Sequence, residues 1–179
     1  MNANVYAAPK ANLEVPATEG RFYVVSKSKF WMLYIVTAGF YVLVWFYRHF
    51  RALGEKRAAL KTIFSIFFVH QLARRLGEQA RQAEPTFDDS LGKWSTLFIV
   101  VSVLGGLVGQ FVPGAYLLVV PINAYSLWRL QRAANVAAKD EGGAGNRSFT
   151  LANYFWIVVG FLYWALVLLG FLAIWTHRR

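Results

Sequence analysis

Residues 151–175 read LANYFWIVVGFLYWALVLLGFLAIW, an uncharged run of 25 residues. At 1.5 Å per residue such a run exceeds the thickness of a bilayer's hydrocarbon layer. It ends in Thr176, His177, Arg178 and Arg179, a basic stop after the aromatic Trp175. The run therefore reads as a transmembrane helix, and the rest of the chain is read outward from it. Upstream, three further apolar runs carry no Asp, Glu, Lys or Arg between 30 and 47, 94 and 111, and 115 and 128. The first is flanked by Trp31 and Tyr34 at one end and by Trp45, Tyr47, Arg48 and Arg51 at the other, an aromatic girdle with a basic stop.

Composition agrees. Of 179 residues, 57% are hydrophobic and only 16% charged, with a mean hydropathy of +0.39, and the charges cluster between the apolar runs. A water-soluble domain carries about a quarter charged residues. The net charge of +10 fits short cytoplasmic loops facing anionic headgroups better than a nucleic-acid partner. The absence of cysteine excludes disulfides, thiolate chemistry and thiolate metal sites. The first 29 residues lack the basic start, apolar run and cleavage site of a signal peptide, so no cleavage is expected.

The expected fold is all-α: a polytopic helical membrane protein with four transmembrane helices, at 30–47, 94–111, 115–128 and 151–175. Residues 1–21 read as a disordered polar tail and 22–179 as a single membrane domain. A short helix at about 62–82 is interfacial or half-spanning. There, Phe64, Phe68, Leu72 and Leu76 recur every four residues, while His70, Arg74 and Glu78 take another face. Pro121 is expected to kink its helix, with Asn123 satisfying a carbonyl freed there. A weak repeat lays Phe67–Leu76 on Pro121–Leu130.

If 62–82 does not cross, residues 48–93 and 129–150 share a side with thirteen Lys and Arg, against six on the other. The positive-inside rule then makes that side cytoplasmic and leaves both termini outside. If it does cross, the N-terminus joins 74–93 and 129–150 inside.

Part of the chain is familiar. Phe22-Tyr23-Val24-Val25-Ser26, Gly39-Phe40-Tyr41, Trp45-Phe46-Tyr47-Arg48, Ile63 to Phe68 and the Arg74-Arg75 pair resemble small uncharacterised inner-membrane proteins of proteobacteria. Asn4 to Lys10 also looks like the short leader many of them carry, with Val5 in place of its proline. The resemblance covers about a third of the chain. It implies a multi-pass protein of the bacterial inner membrane and no particular activity.

No catalytic, metal or cofactor motif stands out, and no cofactor is expected. His49 and His177 read as interface anchors among basic residues. His70 reads as an interfacial histidine, with Gln110 and Asn123 as further intramembrane polar contacts. Asp88 and Asp89 read as a helix cap. Gly105, Gly106 and Gly109 are candidate helix-packing positions, with the small-xxx-small spacing between the first and last. Charge beside apolar surface singles out Arg74, Arg75, Arg129 and Arg132 as candidate contacts for anionic lipid or a larger membrane protein. The expected role is a non-catalytic membrane module. A homo-oligomeric pore is the alternative, and an enzyme of lipid metabolism a remote third.

Overall fold

Two consecutive residues with positive φ, Ala38 (51°) and Gly39 (88°), divide the first apolar run. Left-handed backbone ends a helix, and glycine adopts it without steric cost. Gly39 N–H closes the last turn onto Tyr34 O at 2.8 Å. In a computed structural model describing residues 22–88, 90–112 and 114–177, the run is thus a helical hairpin, α1 Lys27–Val36 and α2 Tyr41–Ala52. The single span expected over 30–47 is corrected on this point. The Thr37 hydroxyl donates to Leu33 O at 2.7 Å and accepts from Tyr41 N–H at 2.9 Å, joining both helices at the turn. The Phe30 ring lies 6.0 Å from Tyr41 and 6.5 Å from Trp45, so α2 runs back along α1.

The remaining helices are α3 Ala58–Ile63, α4 Ser65–Ala83, α5 Leu91–Val108, α6 Tyr116–Ala137 and α7 Leu151–His177. A 3-10 turn at Ala144–Asn146 interrupts the last connection, and the described residues contain no strand. The 1–21 tail, Asp89, Pro113, Arg178 and Arg179 lie outside the described residues. The chain is all-α as expected, and two helices, α5 and α7, are long and apolar enough to cross a membrane.

α5 and α6 form an antiparallel pair. Gly105 leaves room for the Val119 side chain, the ring of Trp94 meets Tyr125 edge-on at 5.0 Å, and Asn123 Nδ2 donates to Ser102 Oγ at 3.0 Å. Asn123 is thus engaged with α5, while Pro121 sits within a helix that continues unbroken to Ala137. α4 buries Val69, Leu72, Ala73, Leu76, Gly77 and Ala80, one face at three- and four-residue spacing, against α5 and α6.

α7 rests on α1. A Cβ on Gly160 would collide with the Val36 carbonyl, and Trp164 Nε1–H donates to Ile35 O at 3.1 Å. The hairpin tip thus meets α7 nine to thirteen residues from its start, about a third to a half of the way along that helix. The ends sort clearly. Val25 pairs with Asn135, Val24 with Asn146, and Asp88 with Arg129, so residues 22–26 share an end with the 138–150 connection. Residues 22–26 thus lie on the side of that connection and not opposite it, a point the sequence left open. Residues 109–112 and Gly114 occupy the other end, where Gly114 meets Phe171.

Candidate functional site

Residues 22–26 form an extended strap held by amide side chains. Gln131 and Asn135, one turn apart on α6, lie on the same stripe and are fully buried. Gln131 Nε2 donates to Tyr23 O and to Asn135 Oδ1, both at 2.8 Å. Asn135 Nδ2 donates to Val25 O at 3.0 Å, and Val25 N–H returns a bond to Asn135 Oδ1 at 3.3 Å. Asn146 Nδ2 donates to Val24 O at 2.8 Å. Three side chains from α6 and the following connection thus replace the strand partner that the strap lacks.

His49 belongs to this network and is corrected from interface anchor to core residue, with no exposed surface. Trp45 Nε1–H and His49 both reach Gln131 Oε1, at 2.6 and 3.1 Å. An amide oxygen only accepts, so His49 must donate from Nε2. Its Nδ1 is left a bare lone pair with no partner. That fixes a neutral tautomer walled in by Trp45 and the Tyr23 ring, with no described carboxylate to orient it.

Beside the strap lies a groove of about 2140 Å³, open to the surroundings, between the C-terminal half of α2, the α3–α4 segment, the 137–146 connection and the start of α7. Leu43, Val44 and Tyr47 line it deeper along α2, and Arg48 and Arg51 follow toward the end. Lys29 and Arg75 also line it, as do the acids Glu78 and Asp140. Asp140 is committed elsewhere. Its carboxylate accepts from the backbone N–H of Ala144 and Gly145, both at 2.8 Å, and these bonds hold it below the usual carboxylate range.

The arginines singled out from the sequence are spread rather than gathered. Arg74 is exposed, 3.9 Å from Glu78. Arg75 binds Glu55 at 2.8 Å, and Lys61 reaches the other Glu55 oxygen at 2.8 Å. The Lys61 bond, with help from Arg75, holds the Glu55 carboxyl below its ordinary range. Arg129 sits over the Trp94 ring at 5.3 Å and binds Asp88 at 3.1 Å, and Arg132 reaches Glu141 at 3.4 Å. The last two share a small cleft with Glu84, Asp88 and Glu141, so its acids already answer their charge.

His70 is exposed on α4, with a long 3.5 Å contact to Thr96 Oγ1. Gln110 is exposed in the turn after α5. Asn123 is buried, and its Oδ1 has no partner. Gly105 packs within the chain, Gly106 faces open space, and Gly109 meets only the carbonyls of its own helix.

Lys29, Arg48 and Arg51 were not singled out from the sequence. They read there as flanking charges, and no linear pattern brings position 29 to the mouth of a groove built by α2 and the 137–146 connection. Gln131 and Asn135 did carry a signal, two amides at i and i+4 on a helix whose neighbours are apolar. No group of three His, Asp or Glu among the described residues is placed to hold a metal ion. No protein-family model, no curated protein and no solved structure matches the chain.

Proposed function

We propose that the chain is an integral membrane protein that crosses with α5, α6 and α7, dips α1–α2 into the layer as a re-entrant hairpin, and serves as a non-catalytic module recognising anionic lipid. One observation carries this reading. Of nineteen Lys and Arg, all but Lys10, Arg21, Arg178 and Arg179 fall within the described residues, and these fifteen lie on 27–29, 48–61, 74–93 and 129–147. The bonds that tie the strap, α4, α5 and α6 together bring those segments to one end. Beyond that end α7 presents an almost wholly exposed apolar surface, for which lipid is the natural solvent.

The positive-inside rule assigns the basic end to the cytoplasm and leaves the C-terminal end of α7 outside. A bacterial cytoplasmic membrane is the setting implied by the resemblance carried in the strap and hairpin residues. Basic side chains beside apolar surface then meet anionic headgroups, each contributing on the order of 1 kcal/mol near the surface.

The absence of cysteine makes the topology directly testable. Single substitutions Lys56→Cys and Lys139→Cys should both react with an impermeant maleimide from the cytoplasmic face only, and Val112→Cys from the opposite face only. Labelling of position 56 from outside would mean that the hairpin crosses, and the proposed arrangement would fall. For the lipid, the purified chain should retain phosphatidylglycerol in preference to phosphatidylcholine. Equal retention would remove the functional reading.

A homo-oligomer enclosing a pore is favoured only by the uncovered face of α7. The glycine face of α5 lends it little, because Gly105 is already filled by Val119 of the same chain.

A further inference from the structure

We infer that the groove beside the strap is the lipid site itself, with Lys29, Arg48 and Arg51 receiving the phosphate of an anionic phospholipid and Leu43, Val44 and Tyr47 receiving the first part of its acyl chains. The inference rests on the reading of the chain as an anionic-lipid module and specifies where that lipid sits.

The unspent charge marks the site. Lys29 is 2% exposed, yet no carboxylate among the described residues lies within ion-pair reach of it. Its ammonium donates to Asn146 Oδ1 at 2.6 Å and Ser148 O at 2.7 Å, and lies 5.8 Å from the centre of the Phe149 ring. Two of its three protons are thereby placed, and the third has no described acceptor. Arg48 is near enough for the two like charges to oppose each other. A buried ammonium balanced only by dipoles, beside a second cation, at the wall of an open groove, is a position an anion would relieve.

Arg48 and Arg51 complete the recess. Their guanidinium groups lie over aromatic rings, Arg48 at 5.9 Å from Tyr23 and Arg51 at 5.8 Å from Tyr47. Neither has a described carboxylate partner, so the donors of both forks remain for a phosphate, which guanidinium groups match in geometry. This separates them from Arg75, Arg129 and Arg132, each already bonded to an acid.

The order of residues along α2 supplies the polarity of the ligand. Leu43 and Arg51 are eight positions apart, about 12 Å along the helix axis. Apolar side chains occupy the deeper part toward the hairpin tip, and cations the end shared with the other basic segments. A phospholipid standing in the bilayer has that same order, headgroup outermost. A free phosphate would use the cations and leave the apolar half empty, and commitment to the lipid rests on that half.

The test is a titration of the full chain in mild detergent with phosphatidylglycerol, followed by native mass spectrometry. Phosphatidylcholine and inorganic phosphate serve as comparison probes. One saturable phosphatidylglycerol should bind. Arg48→Gln with Arg51→Gln should weaken it roughly tenfold or more, the scale of one lost charge-assisted bond. Both side chains are exposed, so the fold should survive, as checked by circular dichroism. Leu43→Glu should weaken binding as well. Arg129→Gln with Arg132→Gln should leave affinity within about twofold, because those charges already have acids.

If the pair at 129 and 132 matters and the pair at 48 and 51 does not, the chain binds anionic lipid elsewhere and the groove assignment is overturned. Displacement of the lipid by millimolar phosphate, with Leu43→Glu neutral, would overturn the lipid in favour of a soluble anion. No preference of the unmodified chain for phosphatidylglycerol over phosphatidylcholine would instead remove the underlying functional reading.

Discussion

The C-terminal half of α6 and the whole of α7 invert the usual relation between polarity and burial. Around α6, Gln131, Asn135 and His49 are fully buried, with Gln131 and Asn135 hydrogen-bonded through both ends of their amides. On α7, Leu162, Leu166 and Leu168 are exposed, Leu166 at 69%. A buried amide is tolerated once both of its ends are bonded, as here, whereas the second arrangement would be untenable in water as a large apolar surface. Against lipid both make sense. Where α7 rests on α1, apolar burial brings little against lipid, because the tails are as apolar as leucine, so cohesion there comes from close backbone approach and the Trp164–Ile35 bond. The inversion says which forces hold each part of this molecule.

If that is so, the largest effect should come from the buried amides. Gln131→Leu leaves the Trp45 and His49 donors and the Tyr23 carbonyl without partners in a closed interior. Thermal unfolding in detergent should show a loss of about 3 kcal/mol or more. A loss below about 1 kcal/mol would mean that the strap is not held by this network. Close approach is second. Gly160→Leu would force the α1 carbonyls away from α7, an overpacking penalty of about 2 kcal/mol. Trp164 would lose its Ile35 bond, so its fluorescence should shift. An unshifted spectrum with unchanged stability would remove the α1–α7 contact from the account.

The ion pairs outside the layer should matter less. Glu55 is held below its ordinary range by Lys61 and Arg75, so its contribution is fully present above the unfolded glutamate pKa. It fades as the pH falls through the lower, folded value. The half-exposed setting of Arg75 keeps the gain below about 1 kcal/mol. Glu55→Gln should flatten that part of the acid limb, and an unchanged limb would assign it to other carboxylates. Smallest of all, Leu166→Ala should change detergent stability by no more than about 0.5 kcal/mol. A larger loss would reveal a protein surface against α7.

These two regions also explain what could be read from the sequence. α7 was legible because composition alone marks it: an uncharged run from 151 to 175 is long and apolar enough to cross a membrane as a helix, which bonds its own backbone. The hairpin was not, because hydropathy sums transfer energies and is blind to φ. Residues 30–47 score as one span whether or not Ala38 and Gly39 turn left-handed. The basic stretches on α4 and α6 were visible as charge, but charge is spent or unspent only in three dimensions. Arg129 finds Asp88 from forty-one positions away, while Lys29 meets Asn146 across 117 positions and finds no acid among the described residues. For the same reason the sequence suggested the arginines that are paired and passed over Arg48 and Arg51, which have no acid partner among the described residues.

The Trp164–Ile35 bond also sets an order of events during synthesis. It joins residues 129 positions apart, and the Asn135–Val25 bond joins residues 110 apart. At a ribosome's pace of about 5–20 residues per second, Ile35 is made roughly 6–26 s before the indole that will cap its carbonyl. The α6 amides that hold the strap are made first, after 110 positions, and the hairpin tip waits longer, for α7. The hairpin is thus made early and fastened late, and its tip stays uncovered until α7 arrives.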